Sequence, residues 1–546
     1  MLAGCVGCGA ALAQTSVPHS EIISTTGVYR QSPAVQQRYG DVAVSLNSPF
    51  FLDRKTDFTD HEAMMSFVQK LALGSGGRAA LLSAGQSQQG RDIPLLLFTA
   101  EGDRTLEAAA QRKERPVIWF MGLQHGNEPA GGEGLLALAA ELAQPDAKDM
   151  LSKVTIVIAP RVNPDGAQRF LRNTANGADP NRDHLLLFLP ETQGVHRSMR
   201  LLQPDVVFDH HEFSVANRWI EKYGMIQSVD ALFLHATNPL VPKGISSLAE
   251  KLYRPAVDSE LAKHGLTSFW YYTTSTRRSE KTVSMGGNNP GIGRNAMGLG
   301  GAVSFLIESR GVGIGMEGWQ RRVATHVLAG RAVIAATLKE ADSLKIALAS
   351  ERQAAAAATD DLIIASRIPA NPLDIPMIDP KTAELQLVSV PFQDSRVIEP
   401  TQVRPRAAGY LLTGATEAAI ERFRLQGVAV CQLAAGVRLS VEAYALTAVA
   451  ATAGRENINP DQTLRAVIVD REMVLPAVTL FVPMAQSSAG IIASAMEPDS
   501  PGSYLATGVI PLAAGVTEAP IFRVKKGVLP AAAGLTAADQ AVCAKP

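Results

Sequence analysis

Two stretches of the chain set imidazoles beside carboxylates. His125 and Glu128 stand three residues apart in VIWFMGLQHGNEPAG (117–131), and Asp209-His210-His211-Glu212 follows Val206-Val-Phe208. An H-x-x-E pair offers one ring nitrogen and one or two carboxylate oxygens, a mixture that zinc and other borderline cations accept. A third stretch, Ala302-Val-Ser-Phe-Leu-Ile307, leads into Glu308-Ser309-Arg310-Gly311. Between the first two, residues 169–184 carry Arg169, Arg172, Asp179, Asn181, Arg182 and Asp183. Arginine is the side chain suited to gripping a carboxylate through two parallel N–H groups. Each feature alone has a plainer meaning: Glu128 as an acid near a helix start, Glu308 as an ion-pair partner. The same chemistry recurring after three strand-like runs points to one composite site.

Each cluster follows an apolar, β-prone run, and in an open α/β sheet ligands bind outside the carboxyl ends of strands. Alternation along a strand prevents His210 and His211 from both facing one cation. Upstream, apolar residues at helical spacing predict a helix over Asp60–Leu73 that stops at Gly74. Ala80–Ser83, the Gly-bracketed turn 85–91 and Ile93–Thr99 predict strand, turn, strand. A helical pattern spans Glu133–Leu142, and Val154–Ala159 is a continuous apolar run suited to a central strand. Strands alternating with helical patterns across 80–340 predict an α/β fold: a mostly parallel, mixed sheet with helices on both faces. After a helical segment to about Glu351 the text changes. Ala354–Ala358 has the composition of a linker, and from about 360 short β-prone runs alternate with Pro and Gly, interrupted by a helix near Glu417–Leu425. The expected division is a truncated signal peptide over 1–14, a catalytic domain over 15–350, a linker over 351–362 and a smaller β-rich domain over 363–546. The last contains no histidine, which argues against a second metal site there.

At 546 residues, 46% apolar and 19% charged, the chain can bury a substantial core, and its net charge of −1 gives no electrostatic case for nucleic acid or an anionic membrane as partner. No apolar run reaches the roughly 18–20 residues that span a bilayer. The first residues, MLAGCVGCGAALAQ, resemble the tail of a secretory signal ending in an A-x-A-like Ala11-Leu12-Ala13, and Leu2-Ala3-Gly4-Cys5 resembles a bacterial lipoprotein box. Export, to the periplasm or beyond and with or without a lipid anchor, is the expected location. Cys431 and Cys543 would then remain, as a disulfide or as two separate thiols. The chain has neither an H-E-x-x-H helix nor a G-x-S-x-G elbow, which excludes those metalloprotease and serine hydrolase classes.

Six short motifs in order then carry a resemblance: G-Q-S-Q-Q-G-R (85–91), H-G-N-E (125–128), N-P-D-G (163–166), D-P-N-R (179–182), D-H-H-E (209–212) and I-E-S-R (307–310). Over residues 62–340 the chain resembles the zinc carboxypeptidases of the carboxypeptidase A-like (funnelin) family, as an exported bacterial member with an extra C-terminal domain. The resemblance implies one zinc ion held by His125, Glu128 and His211, with Asp179 behind the first histidine. It implies Glu308 as the general base acting on a zinc-bound water, Arg172 as the oxyanion stabiliser, and Asn181 with Arg182 as the clamp for a substrate's terminal carboxylate. The implied partner is a peptide with a free C-terminus. Three departures stand out. Asn127 replaces the Arg of digestive members, the family tyrosine is not placed between Tyr271 and Tyr272, and the specificity segment Gly286–Gly301 does not align. Arg294 in that segment is suited either to an acidic substrate side chain or to anchoring its loop. A zinc amidohydrolase on N-acyl amino acids, resembling aspartoacylase and succinylglutamate desuccinylase, shares the metal triad and the base. A silent binding protein on the same scaffold would need one of those four positions to be missing.

Overall fold

The computed structural model describes residues 21–23, 27–414, 416–451, 462–477, 479–512 and 516–527. The expected signal over 1–14, and with it Cys5 and Cys8, lies outside these residues.

Eight strands form the central sheet: β1 (Ala79–Gln86), β2 (Asp92–Phe98), β3 (Val117–Gly122), β4 (Thr155–Ala159), β5 (Val206–Ser214), β6 (Ala231–His235), β7 (Ser268–Trp270) and β8 (Val303–Val312). Their order is β1-β2-β4-β3-β5-β8-β6-β7. The middle of the sheet, β4-β3-β5-β8, is parallel throughout. Strands β1 and β2 are antiparallel, β2 is antiparallel to β4, and β6 is antiparallel to β8. The sheet is therefore mixed with a parallel centre, and both of its faces are covered.

Alternation along the strands divides the core in two. Ile118, Phe120, Ile156, Ile158 and Phe208 pack on one face with helices α2 (Pro129–Leu142) and α5 (Trp319–Lys339). Trp119, Met121, Val157 and Val207 pack on the other with Val195 and Met199 of α3 (Pro190–Leu202). A run buried on both faces must be apolar at every position, which is why these strands read as continuous hydrophobic text. Helix α1 (His61–Gly74) is capped by the Asp60 carboxylate, which accepts from Ala63 N. The short α4 (Gly293–Leu299) lies ahead of β8, and α6 (Ala341–Ala357) follows α5.

Two sequence-derived boundaries shift. Asp209–Glu212 and Glu308–Gly311 do not follow their strands but lie within them. Strands β5 and β8 pair in parallel register through His210↔Ile307 and His211↔Glu308 to Val312↔Ser214. Strand β3 ends earlier, its last pair with β5 being Gly122↔His210. The mutual pairing of β5 and β8 satisfies their backbone groups past that point, so polar residues remain in strand conformation. The alanines at 354–357 form the end of α6 rather than a coil; alanine is the strongest helix former.

The C-terminal region is β-rich and shares structure with the first 350 residues. Hairpin strands β9 (Ala370–Ile378) and β10 (Leu385–Gln393) join Ile226–Gln227, Val283–Ser284 and Thr273–Thr274 in one five-stranded sheet. A two-stranded antiparallel pair, Leu362–Arg367 with Glu399–Arg404, and a six-stranded antiparallel sheet centred on Gly409–Thr413 and Glu518–Val524 follow, with a helix over Glu417–Leu425. Cys431 is disulfide-bonded, and Cys543 lies outside the described residues. Among the described residues no helix is long and apolar enough to cross a membrane.

Candidate metal centre and active site

The cleft opens where β3 stops and β5 and β8 continue. Beyond β3 the chain turns through Gln124–Asn127 into α2, and the N-P-D-G loop presses against that turn. A Cβ on Gly126 would lie 2.0 Å from the backbone carbon of Gly166, so only glycine fits. The loop is braced in turn by the 85–91 motif: Asp165 accepts from Ser87 Oγ (2.8 Å), Gln89 N (3.0 Å) and Arg91 Nη1 (2.7 Å). Asn163 caps its own turn through Gly166 N (2.9 Å) and donates to Gln124 O (3.1 Å). Two of the six motifs therefore act as scaffolding that fixes the turn carrying His125 and Glu128.

His125, Glu128 and His211 converge, each at most 3% exposed. His125 Nδ1 is 2.8 Å from Glu128 Oε1, His211 Nδ1 is 2.9 Å from Glu128 Oε2, and the two Nδ1 atoms are 3.2 Å apart. One ligand atom from each residue falls within 4.8 Å of the others. Behind them, His125 Nε2 meets Asp179 Oδ1 at 3.1 Å and His211 Nε2 meets Asp209 Oδ2 at 2.7 Å. Two Nδ1 atoms turned inward, with each Nε2 anchored on a carboxylate, is the arrangement that leaves both imidazoles ready to ligate. Burial opposes the charge on Glu128, yet His125 and His211 hold it well below the usual carboxylate range. Burial likewise opposes the charge on Asp179, and Arg172 and His125 hold that carboxyl well down. The donor set of two imidazoles and one carboxylate suits zinc. His210 faces away, with its ring on Phe208 and its Nδ1 3.0 Å from His326 Nδ1.

Glu308 stands in register with His211, so the two side chains share a face of the sheet. Burial, followed by the Glu128 charge, pushes its carboxyl up to about 7. That range suits a group that takes and returns a proton at neutral pH. Arg172 lies over the triad: its Nη2 donates to Asp179 Oδ2 at 2.8 Å, and its Nη1 is 3.2 Å from His125 Nδ1. Asn181 Oδ1 accepts from Gly293 N at the start of α4 (2.8 Å), and Arg182 Nη1 donates to Asn181 O (2.9 Å). Arg294 is 3% exposed and donates to His235 O (3.2 Å) and Gly287 O (2.6 Å). It does anchor its loop, while burial and the nearby Arg182 lower its pKa to about 10, and Tyr271 and Glu308 partly offset this.

The two tyrosines separate. Tyr272 is buried in a core against Trp219 and Phe269, with its hydroxyl 3.3 Å from Pro376 O. Tyr271 is the one in the cleft: burial and the charge of Glu308 push its phenol up, while Arg294, Arg172 and Arg182 oppose that shift. The sequence reading also missed Arg218, whose guanidinium donates to Thr274 O (2.5 Å) and senses Tyr271, Arg172 and Glu308. No spacing signal marks it, because the start of a short helix beyond β5 (Arg218–Tyr223) brings it in.

The family model described as zinc carboxypeptidase matches residues 64–231, which contain His125, Glu128 and His211. Carboxypeptidase 2 of Trichophyton rubrum is 30% identical over 478 residues, covering 87% of this chain and 88% of that one. This chain belongs to the zinc carboxypeptidase family. A match of that length runs well past residue 350, so these fungal relatives share the C-terminal region with this carboxypeptidase. Human carboxypeptidase D is 30% identical over 131 residues, or 20% of this chain and 10% of that one. Among solved structures, a metallo-carboxypeptidase from Pseudomonas aeruginosa in complex with (2-guanidinoethylmercapto)succinic acid covers 51% of this chain and 69% of its own, with 24% identity and a TM-score of 0.37.

Proposed function

We propose that this carboxypeptidase holds one zinc ion on His125 Nδ1, Glu128 and His211 Nδ1 and releases the C-terminal residue of peptides. The observation that best supports this is the convergence of those three side chains with Glu308 in register beside His211. When bound, the cation supplies Lewis-acid polarisation of a carbonyl and acidifies water. Asn181 and Arg182 bind the terminal carboxylate of the substrate, which limits attack to the last peptide bond. Glu308 takes the proton from the attacking water and delivers it to the leaving amine; its raised pKa suits both transfers. The guanidinium of Arg172 faces the triad and stabilises the negative charge that develops on the carbonyl oxygen. Asp179 fixes His125 by accepting from its Nε2. Arg294 Nη1 has no partner among the described residues, and we assign it to an acidic side chain on the residue released. We place the enzyme outside the cytoplasm, as the text of residues 1–14 suggests.

The test uses paired peptides with free and amidated C-termini, with wild type and Glu308→Gln. Release of single amino acids from the free-ended peptides by wild type alone, with zinc in both proteins, is the expected result. Cleavage of N-acyl amino acids with no release from any peptide would replace the proposal with the amidohydrolase.

A further inference from the structure

Behind Asp209, the carboxylate that anchors His211, runs a row of buried polar side chains. Asp209 Oδ2 receives His211 Nε2 at 2.7 Å and Gln124 Nε2 at 2.6 Å, while its Oδ1 has no partner among the described residues. An ionised carboxylate only accepts, so Gln124 must turn its NH2 to Asp209 and its Oε1 outward. That oxygen lies 2.6 Å from His184 Nε2, which therefore carries a hydrogen. His184 Nδ1 is then the acceptor for His196 Nε2, 3.1 Å away. Gln124 and His184 are fully buried and His196 is 6% exposed. Burial depresses both rings, His184 to about 3, so each stays neutral with a single tautomer.

The row works in the reverse direction as well. Apart from His211 itself, Gln124 is the one donor to Asp209 among the described residues, so the orientation of that carboxylate depends on it. Asn181 Nδ2 also lies 3.3 Å from His211 Nε2, but Asn181 Oδ1 is engaged by Gly293 N, so the amide presents a donor and cannot take the ring proton. The proton on His211 Nε2 thus goes to Asp209, leaving the Nδ1 lone pair for a cation.

Beyond β5, the row reaches the C-terminal region. His196 lies on the wall of a cavity of about 170 Å³ that Gln426 also lines. The segment just after His184 is held from that region: Tyr504 OH and Gln426 Nε2 donate to Leu185 O at 3.3 and 3.4 Å, and Arg422 Nε donates to Leu186 O.

We infer that Gln124 and His184 are positioning residues for the ligand His211, and that the C-terminal region clamps the segment carrying His184. This rests on the proposed metal site. A hydrogen-bonded partner behind a ligating histidine is typically worth about 10–100-fold in metal affinity. The experiment is zinc affinity by chelator competition on the full chain for wild type, Gln124→Met, His184→Phe and His184→Gln, with thermal unfolding of each in chelator as a check on folding. Gln124→Met and His184→Phe keep the volume and remove the donors; they should lose affinity, by less than the roughly 10–100-fold expected for loss of Asp209 itself. His184→Gln restores an N–H to Gln124 Oε1 and should recover most of that loss, a rescue that simple packing would not give. Wild-type affinity in His184→Phe, or equal losses in His184→Phe and His184→Gln, would overturn the inference. Should His184→Phe fail to fold, Gln124→Met decides, with wild-type affinity there counting against the inference. A wild type that binds no zinc would instead remove the metal site on which it rests.

Discussion

The two histidines of the centre are supported in different ways. His125 leans on Asp179, which is held by the guanidinium of Arg172, a side chain 41% exposed at the mouth of the cleft. His211 leans on Asp209, which is held by a neutral amide and two neutral imidazoles buried beneath the sheet. The same carboxylate–imidazole unit is thus stabilised once by a charge near solvent and once by a hydrogen-bonded row in the interior. Charge is cheap where water reaches it. In the interior an unpaired charge is expensive, and neutral groups with fixed tautomers orient the carboxylate without adding one.

Several variants would break or sharpen that comparison. The largest effect is expected from Glu308→Gln, which belongs to neither support. It should lower kcat by about 10²–10⁴-fold while zinc affinity stays near wild type, as measured by peptide hydrolysis and chelator competition. Asp179→Asn removes the charged support and should weaken zinc by about 10–100-fold. The double variant with Gln124→Met measures the coupling between the supports, whose two histidines meet at Glu128; a loss close to the product of the two single losses is the outcome for supports that act separately. A loss no larger than that of one variant would mean that the supports are not independent. Arg294→Ala should lower kcat/KM for peptides ending in Glu or Asp by about tenfold, the cost of one charge-assisted contact, and leave peptides with an apolar last residue unchanged.

The interior row also predicts a pH dependence of stability. Burial lowers His184 to about 3, from an ordinary value of 6.5. Between those values the unfolded chain binds protons that the folded chain excludes, so stability falls as pH drops below about 6.5. In the urea midpoint of the metal-free protein at pH 5 and pH 7.5, this loss runs against Glu308, whose raised pKa stabilises the fold as pH falls. Replacing His184 by Gln should remove that loss.

The contrast also bears on how much was legible in the sequence. The triad, Asp179 and Glu308 sit in short motifs, and continuous apolar runs located the parallel strands that carry them. The strand ends were misplaced, because pairing between β5 and β8 is a property of the sheet and not of either segment. The row behind His211 left no local signal. Gln124 and His184 are 60 residues apart, and each reads as an ordinary polar residue in a turn. Tyr271 and Tyr272 were indistinguishable as text, and only the fold sends one to the cleft and the other to the core. The C-terminal region, read as a separate unit, supplies β9 and β10 to a sheet shared with the first 350 residues, a pairing across more than a hundred residues that composition does not reveal.

The most direct measurement is the zinc content of the purified full chain for wild type, Glu308→Gln and His211→Ala after dialysis against a weak chelator. One zinc per chain in wild type and Glu308→Gln, with its loss in His211→Ala, is the predicted result. Retention of a full equivalent by His211→Ala would contradict the metal centre described here.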